Sequence, residues 1–324
     1  RQLLGSQNDM ATIRLMERRA VVEKKFFRSG FVALVGRPNV GKSTLMNQLI
    51  GEKIAIISPK PQTTRNRIQT ILTKENFQAI FIDTPGIHKS KHKLGDYMVK
   101  AAVTALNEVD VVLMLAEPDE RGAEADRFVL EYLTGIQTPV ILVLNKIDTE
   151  EKSSILARTK EYSARYPFRE IVPLSAKTGG NCDTLLSVLY QYLPEGPMYF
   201  PEDMVTDQPE RQIAAEIIRE KALQLLQDEI PHGIAVEITA MKKRQGRDLV
   251  DVDATIFCER ESHKGIIIGK GGVMLKQIGT RARMDMEALL GSPIHLQLWV
   301  KVKKDWRDND FLLKNFGYDA RNLR

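Results

Sequence analysis

The chain has 324 residues and a formal net charge of +5, with 47 basic against 42 acidic side chains. This length predicts two domains, because ordinary domains hold roughly 100–200 residues. The longest apolar runs of the sequence, such as residues 111–116 and 140–144, are too short to form a transmembrane helix. The two cysteines, Cys182 and Cys258, lie far apart with no second ligand residue nearby, so the sequence supports neither a disulfide framework nor a zinc site, and a reducing compartment fits best.

The order of predicted elements divides the chain into two parts. Residues 1–28 are a basic stretch for which we expect a flexible N-terminal extension. Short apolar runs at residues 31–35, 79–82, 109–115, 140–144 and 171–174 then alternate with helical periodicity, which predicts an α/β domain with a mostly parallel sheet over residues 29–193.

A proline-rich linker is predicted at residues 194–210, and a smaller α+β domain at residues 211–324. The patterns in this second domain predict a helix near residues 212–229, strands near 234–239 and 249–258, a glycine-rich turn, a helix at 273–290 and a strand at 294–302.

The first predicted strand leads into the motif of a phosphate-binding loop, which opens a helix. Successive backbone N–H groups of such a loop can surround a phosphate, while its lysine reaches the terminal phosphates and its serine hydroxyl binds Mg²⁺. A chance match is the alternative, but the strand-to-helix context argues against it. The predicted nucleotide-binding residues are Gly36, Arg37, Pro38, Asn39, Val40, Gly41, Lys42, Ser43 and Thr44.

A second phosphate motif follows the predicted strand at residues 79–82. It consists of Asp83, Thr84, Pro85 and Gly86. An aspartate at a strand end can hold a metal through water, and the glycine N–H can meet a γ-phosphate. The same four residues also favour an ordinary turn, so they indicate phosphate binding only in combination with the phosphate-binding loop.

Between these motifs lies the polar stretch Gln62-Thr63-Thr64-Arg65, flanked by prolines. A threonine of such a loop can bind Mg²⁺ only while a γ-phosphate is present, which would make the loop a switch. We predict a metal site formed by Ser43 and Thr64, with Asp83 acting through water.

Two polar segments at the ends of later strands predict recognition of guanine. A carboxylate, Asp148, can accept hydrogens from guanine N1 and its exocyclic amine, which adenine does not present, and the lysine stem can cover the base. A backbone N–H of the later segment can reach guanine O6. Either segment alone could be an ordinary polar loop. The residues assigned to the base are Asn145, Lys146, Asp148, Ser175, Ala176 and Lys177.

In this order the motifs resemble those of the translation-factor-like GTPases and, more closely, of the Era family. The resemblance implies that the chain binds GTP and GDP and hydrolyses GTP with Mg²⁺. Ile87 stands where Ras-like members have a glutamine that orients the attacking water, so no catalytic side chain is assigned. Asn39 matches a position that helps related GTPases bind K⁺ in place of an arginine finger, and K⁺ is therefore a candidate cofactor. His88 could orient water, although a solvent-facing histidine is the preferred interpretation.

In the second domain, a glycine-rich run predicts contact with nucleic acid. Gly269 and Gly272 bracket Lys270 and Gly271 in the GxxG spacing, which permits a tight turn whose backbone approaches phosphates closely. Residues 200–324 are electrically balanced, so a polyanion would need a local cluster. The basic side chains between residues 260 and 283, against Glu261 alone, are Arg260, Lys264, Lys270, Lys276, Arg281 and Arg283.

Two other interpretations of this run are a cofactor-phosphate loop and a solvated basic helix face. The region resembles a bacterial-type KH domain, and a GTPase domain followed by such a domain is the Era arrangement. The resemblance implies binding of single-stranded RNA at the 3′ region of small-subunit ribosomal RNA and a role in assembling the 30S-type subunit. The residues assigned to RNA are Gly265, Ile268, Gly269, Lys270, Gly271, Gly272, Lys276 and Arg281.

A basic stretch at Lys301, Lys303, Lys304 and Arg307 could extend the RNA path or be only the polar end of a strand. We expect a monomer in the bacterial cytoplasm rather than in an organelle, with peripheral association with the inner membrane left open. Two alternatives to a GTP-driven switch remain: an RNA-binding module with a structural nucleotide, and ATP-driven remodelling, which guanine selection by Asp148 would exclude.

Overall fold

The structure, a computed structural model, describes residues 26–58, 60, 63–119, 122–228 and 230–323. Most of the predicted N-terminal extension, Gln62 of the predicted switch loop and the last residue of the helix predicted at 212–229 lie outside the described residues. Within the described residues, no helix has both the length and the apolar character needed to cross a bilayer.

The N-terminal domain is a six-stranded sheet in the order β2-β3-β1-β4-β5-β6, in which only the pairing of β2 with β3 is antiparallel. Its strands are β1 (Arg28–Val35), β2 (Ile68–Lys74), β3 (Phe77–Asp83), β4 (Val111–Ala116), β5 (Val140–Leu144) and β6 (Glu170–Pro173). Its helices are α1 (Lys42–Ile50), α2 (Lys93–Leu106), α3 (Ala123–Leu133), α4 (Lys152–Arg165) and α5 (Cys182–Tyr192).

Both faces of this sheet are covered by helices, as the continuous apolar runs predict. Successive β1 residues enter opposite apolar clusters: Val32 and Leu34 pack with α1 and α5, whereas Ala33 and Val35 pack with α2, α3 and α4. The sequence pattern does not predict β2, because its sequence IQTILTK mixes polar and apolar residues at the edge of the sheet.

Residues 194–209 contain no regular helix or strand, as the prolines of the predicted linker indicate, whereas Glu210 already begins the next helix. The linker is nevertheless held against the first domain. The Ile71 amide donates to the Val205 carbonyl at 2.9 Å, and the Thr206 hydroxyl donates to the Gln69 carbonyl at 2.7 Å. The linker therefore follows the free edge of β2 and satisfies part of its backbone.

The C-terminal domain has a three-stranded sheet in the order β7-β8-β9, with β7 antiparallel and β9 parallel to β8. Its strands are β7 (Ala235–Lys243), β8 (Val250–Cys258) and β9 (Ile294–Val302). Its helices are α6 (Glu210–Leu225), α7 (Glu261–Ile268), α8 (Val273–Leu290) and α9 (Asp310–Asn315). The bounds of α8 and β9 equal the predicted ones, whereas the sequence patterns do not predict α9 and place the end of α6 too late.

The two domains share an apolar cluster that is separate from their own cores. Leu94 and Met98 of α2 pack there with residues that follow β9, including Trp306, Leu313 and Tyr318. Trp306 is fully buried. The chain after the last strand therefore lies against the first domain.

Candidate nucleotide and RNA sites

The predicted phosphate loop connects β1 to α1 and has the backbone that such a loop requires. Asn39 and Gly41 have φ values of 63° and 100°, in the left-handed region. A Cβ on Gly41 would lie 2.2 Å from the Asn145 side-chain nitrogen, so only glycine lets the loop approach the base segment. Lys42 Nζ donates to the carbonyls of Gly36 and Arg37, each at 3.2 Å, and burial lowers the Lys42 pKa to about 8.

The predicted metal ligands meet at one corner beside this loop. Ser43 Oγ donates to Asp83 Oδ2 at 2.6 Å, Thr64 Oγ1 lies 3.1 Å from the same oxygen, and the two hydroxyls are 3.0 Å apart. Asp83 is fully buried, and its Oδ1 has no hydrogen-bond partner among the described residues. Three oxygens and an unpartnered buried carboxylate oxygen are a donor set that suits Mg²⁺. Thr63 instead donates to the Lys60 carbonyl at 2.6 Å, so the structure brings Thr64 to the corner.

Side chains of the second phosphate motif face in different directions. Thr84 is buried and donates to the Leu34 carbonyl at 2.7 Å, so only its backbone can face a phosphate. Pro38 backbone atoms lie within 2.8 Å of where a Cβ on Gly86 would stand, which brings the two phosphate motifs into contact. Ile87 is fully buried in the core. His88 is half-buried rather than solvent-facing, and its Nδ1 lies 2.7 Å from the Gly86 carbonyl.

Asn145 joins the base segments to the phosphate loop. Its Nδ2 donates to the Val40 carbonyl at 2.9 Å, and its Oδ1 accepts from the Ala176 amide at 2.9 Å. Asp148 is exposed and accepts a hydrogen bond from Ser175 Oγ at 2.6 Å, which holds the pKa of this carboxyl below its usual range. The carboxylate is therefore ionised at neutral pH and can only accept hydrogens, as guanine recognition requires.

Glu117, which the sequence motifs do not include, connects the phosphate loop to the base segment. It pairs with Arg37 at 2.6 Å and also with Lys146, whose Nζ donates to the Asn39 carbonyl at 3.0 Å. The Arg37 side chain therefore faces Glu117. Its position directly after a parallel strand could have identified Glu117 from the sequence, because ligand sites of parallel sheets lie at the carboxyl ends of the strands.

The glycine-rich loop forms the predicted tight turn, and it lies between the helices α7 and α8. Gly269, Gly271 and Gly272 have φ values of 75°, 61° and 79°, which favour glycine. A Cβ on Gly271 or Gly272 would meet no described atom within 4 Å. Ile266 and Val273, beside the loop, are 50% and 57% exposed. Open backbone next to exposed apolar side chains suits nucleotides whose phosphates meet the loop and whose bases pack beside it.

A groove of about 550 Å³ lies between α8 and β9 and begins at this loop. Gly279 lets the helix lie close to the strand, because a Cβ there would be only 3.3 Å from Leu298 Cδ1. The groove is lined by residues that include Gly272, Leu275, Lys276, Gly279, Arg283 and Leu298. Gly279 was not predicted to be part of a site, although a glycine inside a predicted helix was a signal of close packing.

The structure does not bring every predicted RNA residue to this groove. Lys276 and Gly272 line it, but Arg281 is not among the described lining residues. Arg281 follows Lys276 by five positions, which is about 140° around a helix axis. Gly265 is exposed on α7 with open space around it, and Ile268 is half-buried there.

The sequence is similar to known proteins over most of its length. The family described as "50S ribosome-binding GTPase" matches residues 31–146, and the family described as "KH domain" matches residues 229–307. GTPase Era of Alkaliphilus metalliredigens is 56% identical over 293 residues, 90% of this chain and 99% of that protein. GTPase Era of Clostridioides difficile is 57% identical over 294 residues, again 90% of this chain and 99% of that protein.

Two crystal structures share both the fold and the domain order. Era from Aquifex aeolicus bound to GDP and AlF4⁻ has a TM-score of 0.87 at 43% identity, covering 90% of this chain and 100% of that one. Era in complex with MgGDPNP and nucleotides 1506–1542 of 16S ribosomal RNA has a TM-score of 0.88 at 44% identity, covering 90% of this chain and 99% of that one.

Proposed function

Because the chain belongs to the Era family of GTPases and hydrolyses GTP to GDP and phosphate, we propose that its KH domain binds the 3′ region of small-subunit ribosomal RNA. The bound nucleotide, GTP or GDP, would determine when this RNA is bound during assembly of the 30S-type subunit. The observation that carries the proposal is the presence of a guanine-nucleotide site and an open GxxG groove in one chain, which aligns over 90% of its length with an Era bound to both ligands.

We assign the phosphate contacts to the loop at residues 36–44 and to Gly86, and the base contacts to Asn145, Lys146 and Asp148. Ser43 and Thr64 would hold Mg²⁺ directly, with Asp83 acting through water. The ion would neutralise charge on the β- and γ-phosphates. Thr64 reaches the corner only when its loop is folded over the phosphate site, so this loop is the segment we expect to respond to the γ-phosphate.

The proposal is tested by measuring GTP hydrolysis and RNA affinity of the whole chain against a panel of ribosomal RNA fragments. We expect the 3′-terminal fragment of small-subunit RNA to bind most tightly and to raise the hydrolysis rate above that of the chain alone. Fragments of large-subunit RNA are the essential comparison, since one matching family carries a 50S description. Equal binding of all fragments would reject the small-subunit assignment, and no change in hydrolysis would favour a nucleotide that is only structural.

We propose K⁺ as a second cation beside Asn39. Hydrolysis is expected to be about tenfold faster in K⁺ than in Na⁺, because a fixed positive charge beside the transferred phosphoryl group stabilises its transition state. The matched variant is Asn39→Gly, which keeps the left-handed backbone at φ 63° and removes only the side chain. This variant should lose most of the K⁺ advantage; equal rates in Na⁺ and K⁺ for the unmodified chain would reject the proposal.

We place this activity in the bacterial cytoplasm, since the relatives compared above come from bacteria. A monomeric state and peripheral association with the inner membrane stay predictions. Sedimentation of the purified chain, alone and with lipid vesicles, would test both.

A further inference from the structure

The predicted switch loop is not an isolated loop, because its last residue is seated inside the KH domain. Arg65 is only 1% exposed. Its guanidinium donates to the carbonyls of Ile234 at 2.6 Å and His232 at 2.9 Å, and lies 5.6 Å from the centre of the Trp306 ring. A buried guanidinium is stable only when such partners are in place.

Thr64 and Arg65 are adjacent, so a single peptide bond joins the residue at the metal corner to the residue buried in the KH domain. Neighbouring Cα atoms are about 3.8 Å apart. A displacement of the loop backbone that takes Thr64 away from Ser43 and Asp83 would therefore also pull Arg65 away from its contacts in the KH domain. The Thr63 carbonyl also accepts a hydrogen bond from Arg219 of α6, which adds a second contact to the same stretch.

One of the residues that contact the Arg65 guanidinium, Trp306, belongs to a stretch that we call the C-terminal segment, residues 305–323. Trp306 Nε1 donates to the Gly233 carbonyl at 2.9 Å. In the sequence, Gly233 stands between His232 and Ile234, whose carbonyls accept from Arg65. Trp306 follows the end of β9, Val302, by four residues, and the first part of β9, from Ile294 to Leu298, lines the RNA groove. The seat of Arg65 is thus connected along the chain to the groove.

The same segment also contacts the helix that follows the second phosphate motif. Asp308 Oδ1 accepts from the Lys93 amide at 3.0 Å, at the first residue of α2, and its Oδ2 lies 2.9 Å from His92 Nδ1. A carboxylate at this place caps the helix from the other domain. Tyr318 packs on Tyr97 with ring centres 5.8 Å apart, and the Tyr97 hydroxyl donates to Asn66 at 2.8 Å.

We propose that the C-terminal segment is the element that transmits the nucleotide state to the RNA groove, and that Arg65 is the positioning residue through which it senses the switch loop. The proposal rests on the function proposed above and specifies its coupling. With Thr64 at the metal corner, Arg65 is held on Trp306 and the segment is fixed against the switch loop and α2. When Thr64 leaves, Arg65 leaves with it, and the segment and β9 are released from that side.

The test is a coupling ratio, measured on the whole chain with the 3′-terminal small-subunit RNA fragment as the probe. The ratio compares the RNA dissociation constant in the presence of GDP with that in a non-hydrolysable GTP analogue. Coupling between two sites is typically about 5- to 150-fold. We expect Arg65→Ala to bring the ratio to within about twofold of one.

Arg67→Ala is the matched control. Arg67 lies two residues away and pairs with Glu108 of the same domain at 2.7 Å, so its loss should leave the ratio unchanged. Asp308→Asn is a second variant. It changes a half-exposed side chain instead of a buried one, and it should reduce the coupling ratio partly.

If the RNA affinity of the unmodified chain depends on the nucleotide and Arg65→Ala keeps the same ratio, the role of Arg65 is overturned while the proposed function stands. If Arg65→Ala fails to fold, an unchanged ratio in Asp308→Asn would overturn the role of the segment. A ratio of one in the unmodified chain would overturn the proposed switch itself, and the transmission with it.

Discussion

Replacing Asp148 by asparagine is expected to weaken GTP binding about 100-fold and to give the chain a preference for xanthine nucleotides. The ionised carboxylate can accept hydrogens from both N1 and the exocyclic amine of guanine, whereas an amide nitrogen would face these donors with a donor of its own. Loss of hydrogen bonds to a charged group costs about 1.5–3 kcal/mol each, and about 2.7 kcal/mol corresponds to a factor of 100. Xanthine carries a carbonyl in place of the amine, which the amide nitrogen can meet.

The measurement is a titration of GDP and xanthosine diphosphate into both proteins. Asp183→Asn is the matched control, because Asp183 is an exposed carboxylate at the start of α5, shortly after the second base segment. It removes the same charge without touching the base site and should bind GDP normally. GDP affinity that is unchanged in Asp148→Asn would show that the base is recognised by other residues.

Replacing Gly271 by aspartate is expected to weaken RNA binding about 10- to 100-fold while GTP affinity stays the same. The new carboxylate would stand where the loop backbone meets phosphates, so that like charges repel and close approach is lost. The fold should tolerate the change. The site has open space around the new side chain, and aspartate is among the residues that accept a φ of 61° best after glycine.

Gly246→Asp is the control for this variant. Gly246 lies between β7 and β8 of the same domain, with a φ of 72° and open space around it, and it is not among the described residues that line the groove. The two variants therefore add the same charge under the same backbone strain. RNA affinity that falls equally in both would mean that charge anywhere on the domain matters and that the loop does not.

The nucleotide motifs were predictable from the sequence because each is a continuous run at the end of a buried strand. Parallel strands bring their carboxyl ends to one edge, so residues that follow β1, β3, β5 and β6 meet there without further information. Asn145 shows the consequence: it contacts both the phosphate loop and Ala176, as its place at a strand end predicts. Glu117 lies at the same edge but belongs to no motif.

The RNA groove was predictable only where a continuous run of sequence forms it. The GxxG loop is a continuous run and was identified, but the wall and floor of the groove come from Leu275, Gly279 and Leu298, which are ordinary residues of a helix and a strand. Arg281 was assigned on charge alone. Which way a helical side chain faces depends on what the helix packs against, and local charge does not contain that information.

The sequence by itself determined the two folds, the order of the domains, the guanine-nucleotide motifs and the glycine loop, because local periodicity and contiguous motifs encode them. Only the tertiary structure decided that Arg65, the neighbour of the predicted metal ligand Thr64, is buried on Trp306, more than two hundred residues away. A polar loop and a late tryptophan carry no local pattern that pairs them. Their contact exists because the linker and the C-terminal segment fold the second domain back against the first, where a buried cation needs carbonyls and an aromatic face.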